Sequence, residues 1–250
     1  MISRLFSILQ LAADNPSSII AKLRGADARV YALLSRPWLQ QLGVKSVLDV
    51  GANVGHWAKA CRLAMPELLI NSFEPIPECQ NAIRRRMAND SKFNIFPFAL
   101  GRARGELKLH VHSHTASSSL LVETEAFRDV SNGSTSIQDL SVKVETLDNL
   151  AREHHWSGQY LLKLDVQGYE LEVLLGAAEL LPEVALIIVE TSFLSLYQKQ
   201  SVFGDIHTHL LKAGFSYFGA AESVLRLSNG LEVQQDSLFI RNDLAKQLRW

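Results

Sequence analysis

The chain has little cysteine and no long apolar run, and both features limit the classes of protein to which it can belong. Cys61 and Cys79 are its only cysteines, and they form no CxxC motif. Two isolated cysteines cannot build a disulfide framework, so we expect a protein of a reducing compartment, the cytoplasm. No stretch reaches the roughly 20 apolar residues that span a bilayer, so the sequence predicts no transmembrane segment.

Excess charge of either sign is also absent. The formal net charge is −1, with 20% charged and 47% hydrophobic residues, which is ordinary for a soluble enzyme. This balance gives no reason to expect a nucleic-acid partner. A chain of 250 residues fits one large α/β domain and can bury a full core. The sequence makes no prediction of the oligomeric state.

The first 43 residues predict helices, which we separate from a main domain at 44–250. Residues 1–13 place apolar side chains at helical spacing, which favours a packed amphipathic helix. Ser7 and Gln10 interrupt the apolar stretch, so it does not have the continuous apolar region of a signal peptide.

Short apolar runs alternate with helical stretches over most of the remaining chain. The alternation predicts right-handed β-α-β crossovers and a doubly wound, mostly parallel sheet. The section from 101 to 147 alternates polar and apolar residues as antiparallel strands do, and we interpret it as a β insertion beside the pocket. Alternating stretches in the tail predict antiparallel strands that finish the sheet. The predicted strands of the parallel part are Ser46–Val50, Leu69–Phe73, Asn94–Phe98, Tyr160–Val166 and Val184–Val189.

The turn after the first strand lacks one glycine of the dinucleotide-binding pattern. That pattern, GxGxxG, places a second glycine where the backbone touches a pyrophosphate. Here the turn is Gly51-Ala52-Asn53-Val54-Gly55, with Asn53 in that place. This argues against NAD and FAD. A ligand without phosphate tolerates the asparagine, and S-adenosylmethionine is such a ligand.

Two carboxylates complete the predicted cofactor site. Asp49 precedes the turn, where it can meet the ammonium group of S-adenosylmethionine. Glu74 follows the second strand, about 20 residues on, where a carboxylate accepts both ribose hydroxyls. The structural alternatives are a carboxylate that caps the turn and a solvated strand end. The residues that we expect to bind the cofactor are Asp49, Gly51, Ala52, Asn53, Gly55, Glu74, Pro75 and Ala99.

Lys163 and Asp165 are candidates for catalysis near the end of another central strand. They are two residues apart, so their side chains point to one face of the strand. A lysine in so apolar a strand needs a partner, and Asp165 and Glu190 are both available. We expect Asp165 to act as a general base or a metal ligand, with Lys163 holding it. A purely structural ion pair is the alternative.

A second candidate cluster consists of three alternating histidines, His110, His112 and His114. On one strand face they could line the mouth of a pocket, and alternating imidazoles can bind a divalent metal. We include His112 among the catalytic candidates. A half-exposed strand is the simpler interpretation, so we assign no metal ligands; a divalent metal stays open as a cofactor but is not favoured.

The ordered motifs of this chain resemble those of the FkbM-type S-adenosylmethionine-dependent methyltransferases. The resemblance covers roughly residues 46 to 241 and implies the class I methyltransferase fold, a seven-stranded sheet with a reversed last strand. It also implies O-methylation of hydroxyls, commonly on sugars or polyketide-type natural products. One departure is Gln167, where family members often have glutamate. The motifs are "VLDVGANVG", "FEP", "VETLDNL", "LLKLDVQGYELEVLLGA", "IIVE" and "DSLFIRN".

Three interpretations of function remain open at this stage. The leading one is an O-methyltransferase with a small-molecule or glycan acceptor. The second is a methyltransferase-like module that binds the cofactor or a partner protein without catalysis. The third, an NAD-dependent or nucleotide-sugar enzyme on a similar sheet, is weakened by the missing glycine.

Overall fold

The described residues form ten strands and ten α-helices, which mostly alternate from residue 46 onwards. The structure is a computed structural model that describes residues 17–131, 135–227 and 230–248. The strands are β1 (Ser46–Val50), β2 (Leu69–Phe73), β3 (Phe93–Phe96), β4 (Ala99–Leu100), β5 (Gly105–His112), β6 (Ser136–Glu145), β7 (Tyr160–Leu164), β8 (Val184–Ser192), β9 (Phe215–Arg226) and β10 (Glu232–Arg241). The helices are α1 (Ser17–Leu23), α2 (Ala28–Leu34), α3 (Pro37–Gln40), α4 (His56–Ala64), α5 (Pro77–Arg86), α6 (Glu125–Val130), α7 (Leu147–Glu153), α8 (Glu170–Leu175), α9 (Phe203–Lys212) and α10 (Asn242–Ala245).

Seven of these strands form the main sheet, in the order β3-β2-β1-β7-β8-β10-β9. β1, β2, β3, β7 and β8 pair in parallel, whereas β10 runs antiparallel to both of its neighbours. The predicted doubly wound, mostly parallel seven-stranded sheet with a reversed last strand is therefore confirmed. The alternating stretches of the tail form two long strands, β9 and β10.

The predicted β insertion forms a second sheet together with β4, which precedes it, in the order β4-β6-β5. β5 pairs with β6 in the predicted antiparallel direction, whereas β4 pairs with β6 in parallel. The stretch "GELKLHVH", within the section predicted to form strands, is β5. The "VETLD" motif divides between two elements, because β6 ends at Glu145 and α7 begins at Leu147. Thr146 accounts for the change, since its side chain accepts a hydrogen bond from the amide of Asn149 at 3.1 Å and caps the helix.

Helices pack on both faces of the main sheet and bury two apolar clusters. Leu33, Leu34, Leu39 and Leu42, from the helical segment before β1, are buried in the same cluster as Val47 of β1. The helix predicted within residues 1–13 lies outside the described residues. The longest helices of the described part have ten residues, which is too short to traverse a membrane.

Candidate active site

A cavity opens at the carboxyl ends of β1, β2 and β7, the edge where open α/β sheets bind ligands. The insertion closes one side of it with Leu109, Thr115 and Ser118. The lining includes six of the predicted site residues, Gly51, Asn53, Glu74, Pro75, Ala99 and Asp165. The other predicted site residues, Asp49, Ala52, Gly55, Lys163 and His112, do not line this cavity.

The floor of the cavity is the turn after β1, which only glycine can form at its first position. Gly51 has a φ of 75°, in the left-handed region that glycine tolerates. A Cβ atom at this position would lie 1.9 Å from the backbone oxygen of Asp165. The two loops that follow β1 and β7 are therefore in direct backbone contact.

Glu74 supports the same turn from the end of β2. One carboxylate oxygen accepts the amide proton of Asn53 at 2.8 Å, and the other accepts that of Ile76 at 2.8 Å. Burial raises the pKa of Glu74 to about 7, although the two backbone hydrogen bonds oppose this shift. Each carboxylate oxygen can accept a second hydrogen bond, so Glu74 has capacity for ligand hydroxyls.

Asn53 connects the turn to the insertion, a contact that the sequence did not predict. Its φ of 48° is left-handed, and its side-chain oxygen accepts a hydrogen bond from the hydroxyl of Thr115 at 2.8 Å. The side chain thus points towards the insertion. This contact explains how a side chain fits where a dinucleotide-binding turn has glycine.

Asp49 and Lys163 form a buried ion pair beneath the turn. Their strands place them opposite each other, with 3.3 Å between Lys163 Nζ and Asp49 Oδ1. Ser72 donates a hydrogen bond to the other Asp49 oxygen at 3.0 Å. Burial acts to lower the pKa of Lys163, but the carboxylates of Asp49 and Asp165 outweigh it and the pKa is raised. The predicted contact of Asp49 with a cofactor ammonium group stays a prediction.

Lys163 also fixes the carbonyl groups at the end of β1. Its ammonium group donates to the backbone oxygens of Gly51 at 2.8 Å and Val50 at 3.2 Å. Asp165 is a more distant partner, at 3.9 Å from the same nitrogen. Of the two partners considered from the sequence, Asp165 is thus secondary, and the nearest carboxylate is that of Asp49.

Asp165 lies at the cavity wall in the loop after β7. Its side chain is 40% exposed, and one oxygen accepts a hydrogen bond from the side-chain amide of Gln167 at 2.7 Å. Glu170 shapes this loop, because its Oε1 accepts the amide protons of Val166 at 3.0 Å and Gly168 at 3.1 Å. Burial raises the pKa of Glu170 to about 7, against the effect of these backbone hydrogen bonds.

The expectation that three histidines share one strand face is wrong. His110 pairs with Asp139 at 2.7 Å, and a β-bulge interrupts the ladder between Val111 and His112. His112 is buried against Phe127 with its Nε2 3.1 Å from Glu123, and His114 follows the end of β5. Burial lowers the pKa of His112. Within residues 17–131, 135–227 and 230–248, no three His, Cys, Asp or Glu side chains are grouped to hold a metal ion.

The apolar wall of the cavity and the side-chain hydrogen bonds around it were not predicted from the sequence. The wall contains Ile76, Phe98, Leu100 and Leu109. Ile76, Phe98 and Leu100 lie at or shortly after the ends of predicted strands, and Leu109 lies in the insertion. Apolar residues at the carboxyl edge of the sheet are therefore the signal that could have identified this wall. Gln167, which also lines the cavity, is a further residue for which the sequence predicted no role.

A family model described as the methyltransferase FkbM domain matches residues 49–217 of this chain. The chain belongs to this family. The match begins at Asp49 and ends within β9, so it includes the glycine turn, Glu74, the insertion and the Asp165 loop. The resemblance predicted from the motifs is thereby confirmed.

Two curated relatives and one solved structure are similar to this chain. The 2-O-methyltransferase NoeI of Sinorhizobium fredii (strain NBRC 101917 / NGR234) is 26% identical over 160 residues, 62% of this chain and 66% of that protein. The methyltransferase sdnD of Sordaria araneosa is 28% identical over 156 residues, 53% of this chain and 60% of that protein. The chain thus spans just under two thirds of the length of these relatives. The crystal structure of magnesium protoporphyrin IX methyltransferase from Synechocystis PCC 6803 with bound S-adenosylmethionine covers 85% of this chain and 76% of that one, with 14% identity and a TM-score of 0.46.

Proposed function

We propose that this chain is an S-adenosylmethionine-dependent O-methyltransferase that acts on a hydroxyl group of a sugar, glycan or natural-product acceptor. One observation carries the proposal: a single cavity is lined by Glu74, the Gly51 turn and the half-exposed Asp165. Family membership and the name of the relative NoeI, a 2-O-methyltransferase, support the reaction class.

The residues around the cavity fit S-adenosylmethionine. Glu74 would hold the ribose hydroxyls, because its carboxylate lies at the end of β2 and keeps free acceptor capacity. The apolar side chains of Ile76 and Phe98, together with Pro75 and Ala99, would hold the adenine ring. Gly51 and Asn53, which line the cavity at the turn after β1, would contact the methionine part.

The chain has to align the acceptor and remove one proton. When bound, the cofactor supplies a methyl group that a sulfonium already activates. Asp165 would accept the hydroxyl proton of the acceptor, and the acceptor oxygen would take the methyl group as the carbon–sulfur bond breaks. Lys163 would keep the two loops in place through Asp49 and Gly51. His112 has no part in this mechanism, because it faces Glu123 and Phe127.

The charge of the cavity favours an acceptor without negative charge. Asp165 is the charged residue that the lining presents to the acceptor, and it is acidic, whereas Glu74 would face the cofactor ribose and has a pKa of about 7. A phosphorylated or otherwise anionic acceptor would be repelled at contact distance. We therefore propose a neutral or cationic hydroxyl compound, taken up from a reducing cytoplasm, in keeping with the two free, buried cysteines.

Calorimetric titration tests the cofactor assignment. We expect the wild-type chain to bind S-adenosylmethionine and to show no binding of NAD, and Glu74→Ala to weaken the binding by about 1.5–3 kcal/mol. Wild-type affinity should also fall as the pH drops below 7, since the pKa of Glu74 is about 7 and the protonated acid is a poorer acceptor of ribose hydroxyls.

Glu74→Gln is the control for titration, because its amide does not titrate; it loses one of the two backbone hydrogen bonds of Glu74, since only its oxygen accepts. Its affinity should be low and independent of pH between about 6 and 8. Equal affinities of wild type and Glu74→Ala would remove Glu74 from the ribose site. Transfer of a labelled methyl group to a neutral sugar separates a working enzyme from a module that only binds the cofactor.

A further inference from the structure

Gln167 joins two carboxylates at the acceptor side of the cavity. Its side-chain nitrogen donates one hydrogen bond to Asp165 Oδ1 at 2.7 Å and another to Glu190 Oε2 at 2.7 Å. Asp165 follows β7, whereas Glu190 belongs to β8. One neutral amide group therefore links the proposed base to the neighbouring strand.

The contacts around Gln167 fix the orientation of its amide. The hydroxyl of Tyr197 lies 3.1 Å from the side-chain oxygen, and Gln234 donates a second hydrogen bond to Glu190 Oε2 at 3.0 Å. The backbone is held as well, because Ser119 of the insertion donates to the carbonyl of Gln167 at 2.6 Å. A reversed amide would turn its oxygen towards two carboxylates, so the nitrogen must face them.

We propose that Gln167 is a positioning residue, which holds the Asp165 carboxylate for the acceptor hydroxyl by tying it to Glu190 without adding charge. This inference rests on the proposed function and goes beyond it, since it assigns a role to a residue that the proposed mechanism does not use. A glutamate here would place a third carboxylate between two others, where it could donate at most one hydrogen bond and only when protonated.

The electrostatics around Glu190 agree with the need for a neutral bridge. Burial, together with Asp165, Glu170 and Asp236, raises the pKa of Glu190 well above its ordinary value, and Lys163 only partly opposes this. An additional carboxylate at position 167 would meet the same acidic neighbours. The amide supplies two N–H donors in the same place at no electrostatic cost.

The first test needs neither cofactor nor activity. The titration of the Glu190 carboxyl is followed by carbon NMR in the wild type, Gln167→Met and Gln198→Glu, whose exposed glutamine provides a control in the adjacent loop. Loss of the amide donor in Gln167→Met should move the Glu190 midpoint upwards by about one pH unit or more. Gln198→Glu should leave it in place. An unchanged midpoint in Gln167→Met would overturn the proposal.

The second test separates positioning from a structural role by the pH dependence of turnover. We expect Gln167→Glu and Gln167→Met to lower kcat by roughly 10-fold to 100-fold while the Kd for S-adenosylmethionine changes less than about twofold. The ratio of Gln167→Glu to wild-type kcat should rise as the pH falls from about 8.5 to 6.5, because the introduced carboxyl group regains one donor when it is protonated. For Gln167→Met and Gln198→Glu the ratio should not change with pH.

Other results would overturn the inference. Wild-type kcat in both variants would show that the bridge does not matter, and a loss of kcat that follows the loss of Tm with no pH trend would show a structural role. If the wild type bound S-adenosylmethionine without transferring a methyl group, the proposed function would fail, and the NMR titration would still decide whether Gln167 ties the two carboxyl groups.

Discussion

Asp165 owes its proposed role to the neighbours of a single side chain. The protein holds its carboxylate through the side-chain nitrogen of Gln167, 2.7 Å from Oδ1, and through Lys163 Nζ, 3.9 Å from Oδ2. The rest of the side chain faces the cavity. A base needs this combination, because it must be oriented by the protein and still reach the proton that it removes.

We expect Asp165→Asn to lower kcat by roughly 100-fold or more, since an amide cannot act as the base that removes the hydroxyl proton of the substrate. The Kd for S-adenosylmethionine should stay close to that of the wild type, which calorimetry checks beside the kinetic assay. This pattern would mark an interaction made only in the transition state. Full turnover combined with a lower Tm would instead make Asp165 a structural residue.

EDTA added to the wild type distinguishes a base from a metal ligand. We expect no loss of activity, because the amide nitrogen of Gln167 already lies between the carboxylates of Asp165 and Glu190. Loss of turnover on chelation, restored by a divalent cation, would show that Asp165 binds a metal.

Single residues also show where sequence reasoning stops. Asp49 and Glu74 follow from strand ends and spacing, and both lie at the predicted edge of the sheet. The pairing of Asp49 with Lys163 depends on the register of β1 against β7, which residue patterns do not encode. The hydrogen bond between Asn53 and Thr115 joins residues 62 positions apart, so no local pattern predicts it.

At the scale of elements, the site depends on two loops that touch through their backbones. Gly51 makes this contact, since any Cβ there would lie 1.9 Å from the backbone oxygen of Asp165. Gly105, at the start of β5, is a matched control because a Cβ atom added there would have no neighbouring atom within 4 Å. One glycine is thus required by packing and the other is not.

We expect Gly51→Ala to lower stability by about 1–3 kcal/mol and to weaken S-adenosylmethionine binding, because the turn must move away from the β7 loop. Gly105→Ala should lie within about 0.5 kcal/mol of the wild type. Thermal unfolding and calorimetry measure both effects. A Gly51→Ala protein with wild-type Tm and affinity would contradict the close contact.

The elements of the parallel sheet were predictable, and the details of the insertion were not. β1 and β2 have the predicted bounds, because apolar strands between turn residues leave clear limits in the sequence. The bulge that separates His110 from His112 depends on how β5 meets β6. The sequence shows the alternation of β5 but not its interruption.

Glu170, the first residue of α8, makes the stability of the fold depend on pH. The pKa of Glu170 is about 7 in the folded chain, above the ordinary value of 4.5 that applies when it is unfolded. Between these values the folded state binds more protons than the unfolded state, so stability is greatest below pH 4.5 for this group and declines as the pH rises to 7. The change is on the order of 3 kcal/mol.

We expect Glu170→Gln to reduce this decline, because an amide oxygen can still accept the protons of Val166 and Gly168 and carries no charge. Denaturant unfolding at about pH 5 and about pH 8, on either side of most of the titration, measures the difference. The variant should gain stability relative to the wild type at the higher pH. An unchanged pH dependence would show that the Glu170 carboxyl titrates normally.

At the scale of the whole molecule, the segment before β1 shares its core with the main sheet. Leu33, Leu34, Leu39 and Leu42 are all at most 4% exposed and lie in the cluster that also contains Val47 and Ile70. Arg86 adds polar contacts, since its guanidinium donates to the carbonyls of Gly25 at 2.6 Å and Val54 at 2.8 Å. The helical segment and the main sheet therefore share one core, and the domain boundary at residue 43 stays a prediction.

We expect a chain that begins at residue 44 to fold poorly or not at all. Burial of each leucine side chain contributes about 1.5–3 kcal/mol, so the four together contribute about 6–12 kcal/mol, which is comparable with the whole stability of a typical domain. A chain that begins at Ser17 keeps all of these contacts and is the control. Circular dichroism and thermal unfolding compare the two, and equal Tm values would show that residues 17–43 are an accessory to an independently stable sheet domain.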